Sequence, residues 1–211
     1  MMLKCPLCKS VDPSFFHQDK NRRYRRCSTC ALVFVEPQCY ISTNDEKAEY
    51  DLHENDLKDP GYRRFLSRVL HPVLNRLEPE SLGLDFGCGP APALASMFRD
   101  HGHEMRVYDP FYAPDTAVWQ HQYDFITASE VVEHLHHPAT DFAQLFAHLK
   151  PGGVLGIMTK LVRSKSPFAE WHYIRDRTHV CFYSEETFTW LANKVHAEVE
   201  LIGNDVIILH V

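Results

Sequence analysis

Three groups of residues in this 211-residue chain have the types and spacing to do chemistry. The first is a glycine bend. Residues 82 to 89 read Leu-Gly-Leu-Asp-Phe-Gly-Cys-Gly, and Asp109 follows twenty positions after Gly89. A short apolar strand runs into a turn without side-chain bulk, where a ligand can approach the backbone closely. An acid at the end of the next strand can accept hydrogen bonds from ribose hydroxyls. The pairing suits a nucleoside-containing cofactor. The plainer reading is a tight strand-to-helix turn, with Asp109 opening an Asp-Pro turn at Pro110.

The second group combines carboxylates and imidazoles. Tyr123 to Ala128 reads as a strand and runs into Ser129-Glu130-Val131-Val132-Glu133-His134. Glu130, or Glu133 and His134 one turn further along, could remove a proton from an attacking hydroxyl, amine or carbon acid. Alternatively, Glu130 caps the next segment. His134, His136 and His137 invite a metal reading, but histidines beside a proline, here Pro138, are more often turn residues. Further on, Trp171 to Tyr183 interleaves aromatic and ionisable side chains. His172, Asp176 and His179 are base candidates there, and Trp171 and Tyr173 could line a planar or cationic substrate. The alternative is an aromatic corner with His179 buried and hydrogen-bonded.

The third group is Cys5, Cys8, Cys27 and Cys30, two Cys-x-x-Cys pairs. That spacing suits a zinc ribbon, in which two knuckles give four thiolates to one tetrahedral ion; iron would also accept four sulfurs. A pair of disulfides, four free thiols or a redox pair are the alternatives. Four protein ligands leave no open position, so the expected role is structural. Of the other cysteines, Cys88 sits in the glycine bend, and Cys39 and Cys181 read as small packing residues.

These groups need elements to hold them. Apolar spacing predicts a helix from Tyr62 to Leu77, kinked or divided at Pro72. Further helices are expected at 93–101, 139–149 and 184–195, the last capped by Ser184. Residues 198–202 and 206–209, around Gly203-Asn204-Asp205, read as a hairpin. The order from residue 82 is strand, helix, strand, strand, helix, strand.

The runs LDFGCG, YDP, YDFITASEVVEHL and LKPGGVLGIM together resemble class I S-adenosylmethionine-dependent methyltransferases. The resemblance is to the bacterial group of ubiquinone-biosynthesis and other small-molecule methylases, and it spans roughly residues 61 to 211. A dehydrogenase would share the glycine bend but not LKPGG or EVVEHL in these places. The resemblance implies a Rossmann-like α/β fold, mostly parallel with the last strand antiparallel. It implies that Phe86, Gly87, Cys88 and Gly89 pack against the methionine part of S-adenosylmethionine. Asp85 would orient the bend or reach the cofactor's amino group through water. Asp109, with Pro110, would hold the ribose, and Glu130 would stand where cofactor and acceptor meet. Two departures are visible: Ala91 replaces the family's third glycine, and residues 111–122 are short. One edge strand is therefore expected to be abbreviated or absent, leaving Asp115 as the only acid there to read adenine.

The expected organisation is a zinc-ribbon-like module over residues 1–40, a linker or lid over 41–60 and the methyltransferase domain over 61–211. A formal charge of -6 gives no global attraction for nucleic acid. No run approaches a membrane span, and Met-Met-Leu-Lys-Cys-Pro lacks a signal-like apolar stretch, so a cytoplasmic location is expected. A small-molecule acceptor is the first expectation. The second is RNA, gripped by the ribbon and the basic segment 21–26 with Tyr24 stacking on a base. A third is a non-catalytic cofactor-binding module that docks a protein.

Overall fold

The computed structural model describes residues 3–52, 56–163 and 168–211. Its centre is a sheet of β4 (Leu82–Phe86), β5 (Glu104–Tyr108), β6 (Tyr123–Ser129), β7 (Leu149–Met158), β9 (Glu198–Ile202) and β10 (Val206–His210), in the order β5-β4-β6-β7-β10-β9. The pairs β4–β5, β4–β6 and β6–β7 are parallel, whereas β10 runs antiparallel to both β7 and β9. The Rossmann-like reading with an inverted last strand is what the chain adopts. Among the described residues no strand lies beyond β5. Residues 111–122 instead form a short bridge, Asp109 to Ala113, and a 3-10 turn at Thr116–Gln120.

Helices cover both faces. α2 (Pro60–Leu74) presents Leu66, Val69, Leu70 and Val73 to the sheet, at the spacing that put them on one side. Gly156 admits this helix: a Cβ there would lie 2.4 Å from Val73. Pro72 falls in the last turn and the helix ends at Leu74, earlier than periodicity predicts. α3 (Ala93–Asp100) packs beside α2. α4 (Pro138–Ala147) and α5 (Glu185–Val195) belong to the core that includes Phe142, Leu145, Phe188 and Leu191. Ser184 caps α5 with a reciprocal box to Thr187.

A second, antiparallel sheet carries β1 (Ser14–Gln18), β2 (Arg23–Arg26), β3 (Val33–Val35) and β8 (Cys181–Phe182). Its fourth strand comes from the far end of the chain, with Val33 opposite Phe182. The amino-terminal module therefore shares a sheet with the segment that follows the aromatic loop. Between β3 and β4 in the chain, α1 (Thr43–Tyr50) starts at the Ser42 cap. It occupies part of the 41–60 stretch read as linker or lid; residues 53–55 of that stretch lie outside the described residues. No described helix is long and apolar enough to cross a membrane.

Candidate active site

The carboxyl ends of β4, β5, β6 and β7 open into one cleft of about 850 Å3. β4 delivers the glycine bend. Gly87 and Gly89 adopt φ of +72° and +63°, in the left-handed region that suits glycine. A Cβ on Gly87 would sit 2.4 Å from Val131, so the bend also needs the missing side chain for packing. The Tyr108 carbonyl ties the bend to β5 by accepting from the Gly87 and Cys88 N–H groups, at 2.8 and 3.2 Å. Phe86, Cys88 and Pro110 line the cleft as well.

Asp109 is the hub of the turn. Its Oδ2 accepts from the Gly89 N–H at 3.0 Å, and its Oδ1 accepts from Phe111 and Tyr112 at 2.8 and 3.1 Å. It is thus the turn residue of the plainer reading and a wall of the cleft at once. A carboxylate offers about four acceptor positions, so this pattern still leaves capacity for a ligand hydroxyl. Asp85 stands behind the bend and does not line the cleft. It is buried and accepts from the Thr127 hydroxyl at 2.9 Å, and burial pushes its carboxyl up to about 6. Asp115 points elsewhere: it is exposed and caps the 3-10 turn by accepting from Ala117 N–H at 2.9 Å. It is not among the residues that line the cleft.

β6 delivers the acids. Glu130 has φ +53°, unusual for a non-glycine residue, and its Oε1 is buried without a hydrogen-bond partner. Burial raises its carboxyl to about 7, against the lowering charges of Lys160 and Arg68. Glu133 is 0% exposed. Its Oε2 accepts from the Thr159 hydroxyl at 2.9 Å and its Oε1 from the Tyr173 hydroxyl. Burial and then the Glu130 charge push it up to about 8.

The aromatic loop completes the far wall. His172, Tyr173, Asp176 and His179 all line the cleft; Trp171 does not. Lys160 donates to His172 Nε2 at 2.7 Å and lies over the Tyr173 ring. His179 is buried, as the aromatic-corner reading has it, yet it still borders the cavity. Its ring packs on those of Tyr173 and His134, with centroids 4.2 and 4.7 Å apart. All four catalytic candidates, Glu130, His134, His172 and His179, therefore meet in one cavity.

Several lining residues escaped sequence reasoning. Glu46 and Tyr50 of α1 border the cleft. The Tyr50 hydroxyl donates to Glu46 at 2.9 Å, and its ring packs on Phe111 and His134. Tyr112 donates to Asp51 at 2.6 Å, which ties this helix to the turn after β5. The isolated aromatic in a polar stretch was the one available signal. Arg22 was also missed. It is 6% exposed and donates to the carbonyls of Ile174, Asp176 (2.8 Å) and His179 (3.3 Å).

Within the basic segment, Arg22 and Tyr24 face inward. Tyr24 is 0% exposed and has no face for a base. Its hydroxyl donates to Asp19 at 2.5 Å. Arg25 is paired with Glu36 at 2.5 Å and Arg26 with Glu186 at 3.3 Å. Asn21, Arg23 and Arg26 stay exposed at the surface.

Cys5, Cys8, Cys27 and Cys30 lie together, every sulfur within 4.8 Å of the others. Cys5 and Cys30 sulfurs are 3.6 Å apart, and those of Cys8 and Cys27 are 3.4 Å apart. Lys9 and Ala31, just after the second cysteine of each pair, take positive φ, as the chain doubles back at each knuckle.

A methyltransferase-domain family profile matches residues 60–201. The chain belongs to the methyltransferase-domain family. No curated protein matches it. Among solved structures it is similar to 1,6-didemethyltoxoflavin-N1-methyltransferase of Burkholderia thailandensis, solved with 1,6-didemethyltoxoflavin and S-adenosylhomocysteine bound. That likeness covers 93% of this chain and 97% of the other, with TM-score 0.57 and 16% identity. A SAM-dependent methyltransferase of Archaeoglobus fulgidus is similar over 71% of this chain and 94% of its own (TM-score 0.56, 15% identity). An O-methyltransferase family protein of B. thailandensis is similar over 80% and 60% (0.53, 12%). These likenesses establish the methyltransferase fold around the cleft.

Proposed function

We propose that this methyltransferase domain transfers a methyl group from S-adenosylmethionine to a small-molecule acceptor. The observation that carries the reading is the single cleft joining the glycine bend and Asp109 on one side to Glu130, His172 and Tyr173 on the other. The bend fits the cofactor. A Cβ at Gly89 would meet no atom within 4 Å, so its backbone borders open space. Phe86, Gly87, Cys88 and Gly89 would hold the methionine part, and Asp109 beside Pro110 would hold the ribose. The bound cofactor supplies an activated methyl on a sulfonium.

The chain's own part is to orient and to exclude water. Tyr50, Phe111 and Tyr173 give the cavity aromatic walls that suit a flat acceptor. The similar Burkholderia enzyme is a methyltransferase of 1,6-didemethyltoxoflavin, and that supports a small-molecule acceptor here. Glu130, raised toward neutrality by burial, is suited to take a proton from an acceptor O–H or N–H. Its unpartnered oxygen leaves it a free acceptor position for that purpose.

The four cysteines fit a structural zinc ion. Four sulfurs about 2.3 Å from one tetrahedral ion would lie about 3.8 Å apart, close to the separations found. The ion would stabilise residues 1–40, which have too little core of their own.

Calorimetry with S-adenosylhomocysteine, followed by incubation of labelled S-adenosylmethionine with metabolite, RNA and protein fractions, tests the reading. Micromolar or tighter binding with label in metabolites is the expected result. No binding, or label confined to RNA or protein, overturns it. Binding with no turnover on any fraction would favour a non-catalytic module.

A further inference from the structure

Glu133, His134 and His179 converge beneath the acceptor side of the cleft, each with one ligand-capable atom within 4.8 Å of the others. The methyl-donor reading makes no use of this grouping. The surroundings of two of them are those of metal ligands. His179 Nδ1 lies 2.8 Å from the Tyr173 carbonyl, which can only accept, so Nδ1 carries the proton. The Nε2 of the neutral ring then carries a lone pair. It faces another acceptor, Asp176 Oδ2, at 3.6 Å. The His179 ring is buried while Asp176 is 33% exposed, and two acceptors so placed are bridged by a proton, a water or a cation. A backbone carbonyl on the far nitrogen is also how metal-binding histidines are held.

Glu133 makes the same point from the other side. It is fully buried, and its oxygens are held by the hydroxyls of Thr159 and Tyr173, one apiece. Each oxygen keeps a free lone pair. Its neighbour Glu130 has a buried oxygen with no partner at all. Two carboxylates in one dry pocket disfavour each other's charge.

We propose that Glu133, His134 and His179 bind one divalent first-row transition-metal ion, in a site separate from the four-cysteine cluster. One carboxylate and two imidazoles suit zinc, iron(II), cobalt or manganese; calcium and magnesium prefer oxygen alone. Three protein ligands leave positions open. His134 and His179 both border the cleft, so those positions are available to an acceptor oxygen or nitrogen. The proposal concerns the same cavity as the methyl-transfer reading, but its readout is metal, so either can fail without the other.

The test uses the full chain, stripped with a chelator and titrated with cobalt(II) alone. Thiolate ligands give strong charge-transfer absorption, which the cysteine cluster would show. The Glu133 site adds a second class of bound cobalt without that absorption. Glu133→Gln keeps the size, with one neighbouring hydroxyl turning to accept from the new amide N–H, but is a poor ligand; His179→Ala removes a ligand outright. Each should weaken the second class about 100-fold or more and leave the thiolate band intact. Circular dichroism checks that the variants fold. X-ray absorption at the cobalt edge of the wild-type chain gives a variant-free readout: imidazole scattering supports the site. Cobalt found only on sulfur, or a second class indifferent to both substitutions, overturns it.

Discussion

Asp109 binds three backbone N–H groups in the chain as it stands, so its replacement disturbs the turn as well as any ligand. Asp109→Ala is expected to weaken S-adenosylhomocysteine binding about 10- to 100-fold, the worth of a lost charged hydrogen bond. Calorimetry measures it, and unchanged affinity would remove the ribose role. Asp85 makes a different prediction. Its folded-state value of about 6 lies above the 3.8 of an ordinary aspartate. The folded chain therefore holds that proton more tightly than the unfolded chain does. The associated stability is complete below about pH 4 and is lost as pH rises through about 6. Asp85→Asn, which cannot ionise, escapes this loss. Relative to wild type it should gain about 3 kcal/mol between pH 4 and pH 7 in denaturant unfolding. An equal pH response in both chains would show that Asp85 does not carry the buried charge.

At the scale of elements, local pattern and distant packing divided what could be read in advance. The glycine bend, Asp109 and Glu130 were legible because alternation and turn residues fix where β4, β5 and β6 end, and function collects at those ends. Tyr50, Phe111 and Arg22 were not, because nothing within a few residues of them signals which distant surface they meet. The error over Tyr24 was avoidable. In β2 the burial runs exposed, buried, intermediate, exposed, and an aromatic ring in a strand is more readily buried than the arginines beside it. The helix α1 shows the opposite limit: a polar segment with a capping serine, whose place over the cleft only the fold reveals. Arg22 links the small sheet to the aromatic loop through three carbonyls. Arg22→Ala should leave three carbonyls, two of them in buried bonds, short of a donor and loosen residues 172–179. Hydrogen exchange there is expected to rise at least about tenfold, for a cost of 2 kcal/mol or so. Unaltered protection would mean that the loop stands without the clamp.

For the whole molecule, the amino-terminal strands and the segment that follows the aromatic loop form one small sheet, because β3 takes β8 as its outer partner. A metal ion on the four cysteines would then act at a distance on the cleft. Removing it with a strong chelator is expected to lower the thermal midpoint and to weaken S-adenosylhomocysteine binding together; calorimetry before and after chelation follows both. Loss of metal with neither change would make the module an independent appendage. The resemblance read from motifs covered the central sheet and said nothing of this union, since a two-residue strand such as Cys181–Phe182 leaves almost no trace in composition.

The pairing of Val33 with Phe182 also sets an order of events at the ribosome. The first three strands leave the exit tunnel while their fourth neighbour, roughly 150 residues behind, is still untranslated. Until it arrives, Val33 and Phe34 offer an open hydrogen-bonding edge to whatever passes. A nascent chain of this protein would need that edge shielded, by its own knuckles or by a chaperone, for most of its synthesis.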